Sequence, residues 1–228
     1  MNIRVAPKKL LLACAVFILA SCAYMAPPET YDGLELVPNT RFGQVYRRPG
    51  VDLSTYHAFG LTNCEVAFRN NWLRDQNTSN INFNSRVTQK DVDRIKDKLG
   101  AECEKTFRAV LEQAPPYPLV DKFNDGEHVL VLRPAIINLD IAAPDVMTPG
   151  RQRNYTTDAG QMTLLLEALD GTTGEILVRV VDKRRDRSPM QLQWTNSVTN
   201  KADAQRVLNR WAKQFREGLD EVARPASK

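Results

Sequence analysis

Residues 88–116 read TQKDVDRIKDKLGAECEKTFRAVLEQAPP and carry the strongest structural signal in the chain. Apolar side chains recur there at three- and four-residue steps and share one helical face: Val92, Ile95, Leu99, Cys103, Phe107 and Leu111. Thr88 is placed to cap the first turn, with Asp91 as the acidic member of a capping box. A Pro-Pro pair then ends the pattern. The stretch predicts an amphipathic helix over residues 88–114 with one buried stripe.

The segments around this helix have the patterns of strands and of a second helix. Alternating residues predict strands over Tyr56–Phe68 and Val129–Ile141, and a hairpin over Gln161–Lys183 that turns at Asp170–Gly174. A helical pattern returns over Ala202–Val222. The order strand, helix, strand, hairpin, helix predicts an α+β fold. We expect a mostly antiparallel sheet of four or more strands with two long helices packed on one face.

Two long segments lack either pattern and are predicted to be connections. Residues 70–86 are polar and rich in Asn, which indicates a surface loop. Residues 143–159 contain two prolines and a polar run, and loops of this length are often functional or mobile.

The cysteines Cys64 and Cys103 are predicted to form a disulfide. Cys64 lies on the more apolar face of the first predicted strand, and Cys103 lies on the apolar stripe of the first helix. The two thiols meet if that stripe packs on that face. The alternative is two buried thiols in separate parts of the core. Metal binding by the pair is not favoured, because neither a Cys-x-x-Cys motif nor clustered histidines accompany it.

The N-terminal residues have the pattern of an export signal. Three basic residues precede an apolar run, Leu10–Ala20, that is too short to span a bilayer and is typical of a signal that is removed. The stretch Val16–Cys22, VFILASC, resembles the lipobox of bacterial lipoproteins. This resemblance implies that the chain is cut before Cys22 and that the thiol and new amino terminus of Cys22 are acylated. Ala23, in place of Asp, implies sorting to the outer membrane, facing the periplasm.

Two other interpretations of the N-terminus fit the sequence less well. Leu11–Cys14 also fits the box, but it leaves only Leu10–Ala13 as an apolar core, which is too short for export. An apolar strand of a soluble protein does not account for the order of basic residues, apolar run and small residues.

The export signal also explains the net charge and sets the expected domain division. Removing residues 1–21 removes three of 31 basic residues and no acidic ones, which leaves 28 basic against 27 acidic residues. A nearly neutral mature chain argues against a nucleic-acid partner. We expect a lipidated tether over residues 22–30, a single α+β periplasmic domain over 31–223 and a frayed C-terminus over 224–228.

Four short stretches, in this order behind the lipobox, resemble one family. They are GVDLSTY at 50–56, LDGTTGEIL at 169–177, VDKR at 181–184 and RWAK at 210–213. The mature chain resembles the bacterial lipoproteins of the domain-of-unknown-function 3313 family. The resemblance implies an α+β domain that faces the periplasm, and it brings no catalytic residues. The Cys64/Cys103 pair is not part of this resemblance.

No catalytic motif or metal-ligand spacing emerges from the sequence. A Gly-x-Ser-x-Gly elbow and a phosphate-binding glycine loop are both absent from it. The two histidines, His57 and His128, begin two predicted strands, where exposed strand ends are the simpler interpretation. We therefore expect neither an enzyme, a cofactor nor a metal site.

Basic loops are the candidate binding feature. One run is predicted to form a loop after the hairpin, and two further arginines and a tyrosine lie in the 143–159 connection. The candidate residues are Lys183, Arg184, Arg185, Arg187, Arg151, Arg153 and Tyr155. The acidic residues that interleave with the first run, Asp182 and Asp186, are typical of a solvated strand end.

These observations predict a lipid-anchored cell-envelope protein that serves as a non-enzymatic binding or accessory module. Its expected partners are the membrane, through Cys22, and an envelope protein, lipid or peptidoglycan. One alternative is a periplasmic binder of a small molecule, lipid or glycan that uses residues 144–159 as a lid. A third is an envelope hydrolase.

Overall fold

Ten strands and three α-helices are found in the residues that the computed structural model describes, which are 27–78, 86–122, 127–141, 154–156, 160–186, 193–195 and 197–223. The strands are β1 Thr30–Tyr31, β2 Leu34–Leu36, β3 Gln44–Arg47, β4 Ala58–Leu61, β5 Glu65–Phe68, β6 Val129–Asp140, β7 Asn154–Thr156, β8 Gly160–Asp170, β9 Ile176–Asp186 and β10 Gln193–Thr195. The helices are α1 Trp72–Thr78, α2 Gln89–Leu111 and α3 Ser197–Ala223, with a 3₁₀ turn at Leu53–Thr55.

Eight of the strands form one mixed sheet. Its order is β1-β2-β3-β9-β8-β6-β4, and β5 pairs with the same strand β6, further along it than β4. Every pairing in it is antiparallel except those of β4 and β5, which run parallel to β6. The strands β7 and β10 form a separate two-stranded ladder. The predicted α+β class with a mostly antiparallel sheet is confirmed.

The single strand predicted over residues 56–68 is wrong, because the chain forms β4 and β5 there with a break between them. Ala58 pairs with Val129 and Glu65 pairs with Ala135. From the first pair to the second, the 58–65 segment advances by seven residues and β6 by six. The extra residue cannot pair with β6, and the chain leaves the ladder at residues 62–64. The break places Cys64 outside the regular strand, below the helix that follows.

Strand β6 presents its even-numbered residues to the core as far as Ile136. Leu130, Leu132 and Ile136 are buried members of the core cluster. Both faces of β6 carry apolar residues, so alternation alone does not distinguish them. The parity changes at Asn138, where a bulge with a positive φ of 52° brings Leu139 to the buried side.

Both long helices pack on the same face of the sheet, as predicted. Helix α2 begins with the predicted capping box, in which Thr88 and Asp91 exchange bonds. Phe107 of α2 meets Phe215 of α3 with ring centroids 5.7 Å apart. Below them lie the buried side chains of the sheet, including Leu164. Helix α3 begins at Ser197, five residues before the predicted start.

The predicted surface loop at residues 70–86 contains a helix, α1. Trp72 opens it and is almost fully buried, with its ring 4.2 Å from that of Phe68. The indole Nε1 donates to the carbonyl of Ile141 at 3.2 Å. The Asn-rich composition does not predict this helix, because tertiary contacts hold it: the buried ring of Trp72 and two bonds between the Asn77 side chain and the backbone of Val87.

Candidate functional site

The disulfide between Cys64 and Cys103 joins the break in the first strand to helix α2. The two sulfur atoms are 2.04 Å apart, and both residues are buried in the main core. Gly100 lies one turn earlier in α2, where an added Cβ would be 2.7 Å from the carbonyl oxygen of Cys64. Helix and backbone therefore touch at this point, and only a residue without a Cβ fits. The predicted disulfide is confirmed.

The basic run is part of strand β9 and not of a loop. Lys183, Arg184 and Arg185 pair with Thr163, Met162 and Gln161, because β8 begins early enough to extend the ladder to Asp186. Strand alternation then separates the run between the two faces of the sheet. Arg184 shares the helix-covered face with buried core residues, whereas Lys183 and Arg185 project from the other face and are exposed.

The remaining candidate binding residues contribute less to a described site. Arg151, Arg153 and Arg187 lie outside the described residues, as do Cys22 and the predicted signal. Tyr155 is described only as part of strand β7, where it pairs with Trp194 of β10. The structure therefore brings together Lys183 and Arg185 alone among the candidate basic residues.

Asp182 is buried between the sheet and helix α3. The residue is 4% exposed, and its carboxylate accepts hydrogen bonds from Trp211 Nε1 at 2.7 Å, from the backbone N–H of Gly43 at 2.8 Å and from Arg184 Nε at 2.6 Å. The expected solvated position of Asp182 is wrong, because its strand position points it at the helices. Burial of the charge is offset by these donors, which fix α3 and the segment before β3 to strand β9.

A ladder of charges crosses the face of the sheet that the helices leave open. Glu167 of β8 is 7% exposed and accepts from Arg133 of β6, at 2.6 Å, and from Arg179 of β9, at 2.8 Å. Arg179 continues to Asp32 at 2.8 Å and lies 4.7 Å from the ring centroid of Tyr31. The ladder ties the β1–β2 hairpin to the middle of the sheet.

At the β8–β9 turn, Tyr56 donates to Asp170. The phenol oxygen is 2.6 Å from Asp170 Oδ2, while Oδ1 accepts from the backbone N–H groups of Thr172 and Thr173. The bond from Tyr56, followed by the backbone bond from Thr173, lowers the pKa of Asp170. Burial, followed by the bond to Asp170, raises the pKa of Tyr56. The pair attaches the chain before β4 to the turn of the predicted hairpin.

Arg216 of helix α3 binds the end of helix α2. Its guanidinium donates to the carbonyls of Val110, at 2.6 Å, Gln113, at 3.1 Å, and Pro115, at 2.6 Å. The ring of Tyr117 lies 4.7 Å from the guanidinium carbon. One side chain thus satisfies the Val110 carbonyl, which the last turn of α2 leaves unpaired, and two carbonyls of the segment that follows the helix.

The two histidines occupy neighbouring positions before paired strands. His57 precedes Ala58 and His128 precedes Val129, which pair in register, and both histidines are exposed. His128 meets Tyr56 edge-on, with a centroid distance of 6.1 Å. Among the described residues, no group of three or more His, Cys, Asp and Glu side chains is arranged to hold a metal ion.

The family model described as "Protein of unknown function (DUF3313)" matches residues 25–215. The chain belongs to the DUF3313 family. The predicted family resemblance is confirmed. No curated protein sequence matches the chain.

Two solved structures of PelC from Paraburkholderia phytofirmans, both titled as dodecamers, resemble this DUF3313 chain in a structural search. One, a variant, has 9% identity and a TM-score of 0.37 and covers 75% of this chain and 96% of its own. The other has 8% identity and a TM-score of 0.36 and covers 75% of this chain and 94% of its own.

The polar contacts of this DUF3313 chain that sequence reasoning missed are those between distant residues. Arg133, Glu167 and Arg179 lie on three strands, and their spacing in the sequence follows no pattern that predicts a contact. The sequence could have indicated only the contact between Arg179 and Glu167, because both side chains lie on the outer face of one predicted hairpin. Within the described ranges, no helix is long and apolar enough to span a membrane.

Proposed function

We propose that this protein is a lipid-anchored lipoprotein of the cell envelope. It is held at the outer membrane through acylated Cys22, and its folded part faces the periplasm. There it serves as a non-enzymatic binding or accessory module for another envelope component.

The observation that carries the proposal is the Cys64–Cys103 disulfide in a chain whose N-terminus resembles a lipoprotein signal. Disulfides persist in oxidising compartments such as the periplasm and are rare in the cytosol. The bond in the folded part and the lipobox-like stretch at Val16–Cys22 are independent features, and both favour export.

The proposal of a binding role is supported by the use of the buried polar groups. Asp182, Glu167 and Arg216 are buried, and each bonds two or more separate elements of the fold. These groups hold the structure together. The exposed basic residues Lys183 and Arg185 on the open sheet face are then the candidate contacts for an acidic partner group.

Acylation is tested by mass analysis of the natively produced protein. We expect the Cys22→Ser protein to lose the acyl mass and the association with membranes. The matched control is Cys14→Ser, which removes the competing cysteine and leaves acylation unchanged. An unmodified, uncleaved N-terminus in the wild-type protein would refute the anchor.

Partner binding is tested by crosslinking and pull-down of the intact lipoprotein from envelopes. Replacing both Lys183 and Arg185 by Ser removes two exposed positive charges from the open face and should reduce recovery of the partner. The control replaces Lys98 and Lys105, exposed residues of helix α2, by Ser. Equal loss in both variants would refute a specific role for the open face.

A further inference from the structure

The β1–β2 hairpin, residues Thr30–Leu36, is the first part of the fold after the proposed anchor. Glu29 accepts a bond from the backbone N–H of Leu36, which closes the hairpin at its base, and Leu34 is fully buried. The hairpin is therefore fixed to the body of the protein.

Tyr31 projects from this hairpin and is 51% exposed. Its ring is held from beneath by Tyr46, with centroids 6.2 Å apart, and by the guanidinium of Arg179. Tyr31 and Val222, which is 36% exposed, are the exposed large hydrophobic residues of the described chain. A tyrosine held with half of its surface in water is suited to the boundary between membrane and water, where an apolar ring and a polar hydroxyl both find partners.

The distance to the anchor limits where this tyrosine can lie. Nine steps along the chain separate Cys22 from Tyr31, and five separate Cys22 from Pro27. At full extension these steps reach about 32 Å and about 18 Å. A folded body of this size has a diameter of about 40 Å. The point where the tether enters the fold therefore lies on the membrane-proximal side of the body.

Helix α3 is on the opposite side of the sheet from Tyr31. Arg179, which supports the ring, projects from the open face, whereas its neighbour Val180 belongs to the core beneath the helices. Val222 near the end of α3 thus provides an exposed apolar position in the helix layer, on the other side of the sheet from Tyr31.

We propose that the β1–β2 hairpin rests on the phospholipid surface that holds the Cys22 anchor, with the exposed ring of Tyr31 at the headgroup boundary. This inference rests on the proposed lipid anchor and adds the orientation of the folded part. The short tether and the fixed hairpin hold the helix layer away from the membrane, so that the helices are presented to the periplasm.

The test uses the full acylated protein in vesicles that contain brominated phosphatidylcholine, which quenches tryptophan fluorescence only at short range. Tyr31→Trp is compared with Val222→Trp, and the wild-type protein supplies the background of the native tryptophans. We expect the added emission at position 31 to be quenched and that at position 222 to be unaffected. Flotation of the same samples reports on the anchor separately.

The outcomes are distinct. Protein that floats with the vesicles but shows no quenching at position 31 would overturn the orientation and leave the anchor intact. Protein that does not float would overturn the anchor, and the orientation with it. A spectral shift without bromolipid quenching would overturn the proposal in favour of a second copy of this chain that covers the hairpin.

A second measurement needs no substitution at Tyr31. Hydrogen exchange of the hairpin amides is compared between the vesicle-bound wild-type protein and the Cys22→Ser protein in solution. We expect slower exchange over residues 29–36 in the vesicle-bound protein and equal exchange in helix α3. Equal exchange at the hairpin would overturn the proposal.

Discussion

Removing the Cys64–Cys103 bond should destabilise the folded protein by about 4 kcal/mol. The bond closes a loop with a sequence separation of 39 residues. In the chain-entropy model, a loop of this length lowers the entropy of the unfolded chain by about 13 cal/mol/K, which is about 4 kcal/mol at 25 °C. Because this effect acts on the unfolded state, it should appear even if the folded structure changes little.

The assay is urea unfolding of the mature chain with Cys22→Ser, so that the disulfide cysteines are the only thiols present. The oxidised protein is compared with the reduced protein and with a Cys64→Ala/Cys103→Ala variant. With a slope of about 2.5 kcal/mol/M, the midpoint should fall by about 1.5 M in both cases. A loss below about 1 kcal/mol, with both thiols shown to be free, would refute the reasoning and indicate that the unfolded loop is constrained in another way.

Three further substitutions test the contacts described above. Gly100→Ala should destabilise the protein by about 1–2 kcal/mol in urea unfolding, because overpacking against the strand backbone exceeds the gain in helix propensity, whereas Gly218→Ala, whose added Cβ meets nothing within 4 Å, should be neutral or stabilising. Arg216→Lys should cost about 3 kcal/mol in the same assay, because one ammonium group cannot reach the carbonyls that the guanidinium spans; a loss below about 0.5 kcal/mol would contradict the capping role. Tyr56→Phe should destabilise the protein at pH 7, and this difference should shrink below about pH 4. Because the pKa of Asp170 is lower in the folded than in the unfolded protein, its ionised carboxylate stabilises the fold at pH values above the unfolded pKa, and this contribution is lost as the pH falls through the folded pKa. A stability difference between the wild-type protein and Tyr56→Phe that does not change with pH would contradict the bond.

Helix α2 and the disulfide were predictable because local patterns determine them. The capping box at Thr88 and the apolar stripe ending at Leu111 specify the helix within a few residues. Cys103 lies on that stripe, and Cys64 immediately precedes the strand segment on which α2 packs. One helical period and one strand were enough to bring the two sulfurs together.

The faces of β6 and β9 were not predictable from alternation. Strand β6 has apolar residues on both faces, so their alternation does not show which face the helices cover. Asp182 stands among basic residues that suggest a solvated end, yet its strand position places it under helix α3. Which face of a strand is buried depends on the side of the sheet on which the helices pack, and this side is determined by the packing of the whole sheet.

Several of the contacts that the sequence did not predict join residues more than 100 positions apart. Tyr56 reaches Asp170 over 114 positions, and Arg179 reaches Asp32 over 147. Such bonds are directional, so each one selects a single docking of two elements that apolar packing alone would leave adjustable.

Because the buried polar groups are bonded within the fold, a partner is expected to contact exposed residues. A buried carboxylate that has already accepted several donors, as Asp182 has, has little capacity left to bind a ligand. Lys183 and Arg185 are exposed on the open face, and Tyr31 is exposed on the hairpin beside it. If the hairpin rests on the membrane and the basic pair meets an acidic partner, both contacts lie on the side of the sheet that the helices leave open. The Tyr31→Trp and Lys183→Ser/Arg185→Ser experiments then report on one surface, and a partner that protects helix α3 from hydrogen exchange instead would contradict that assignment.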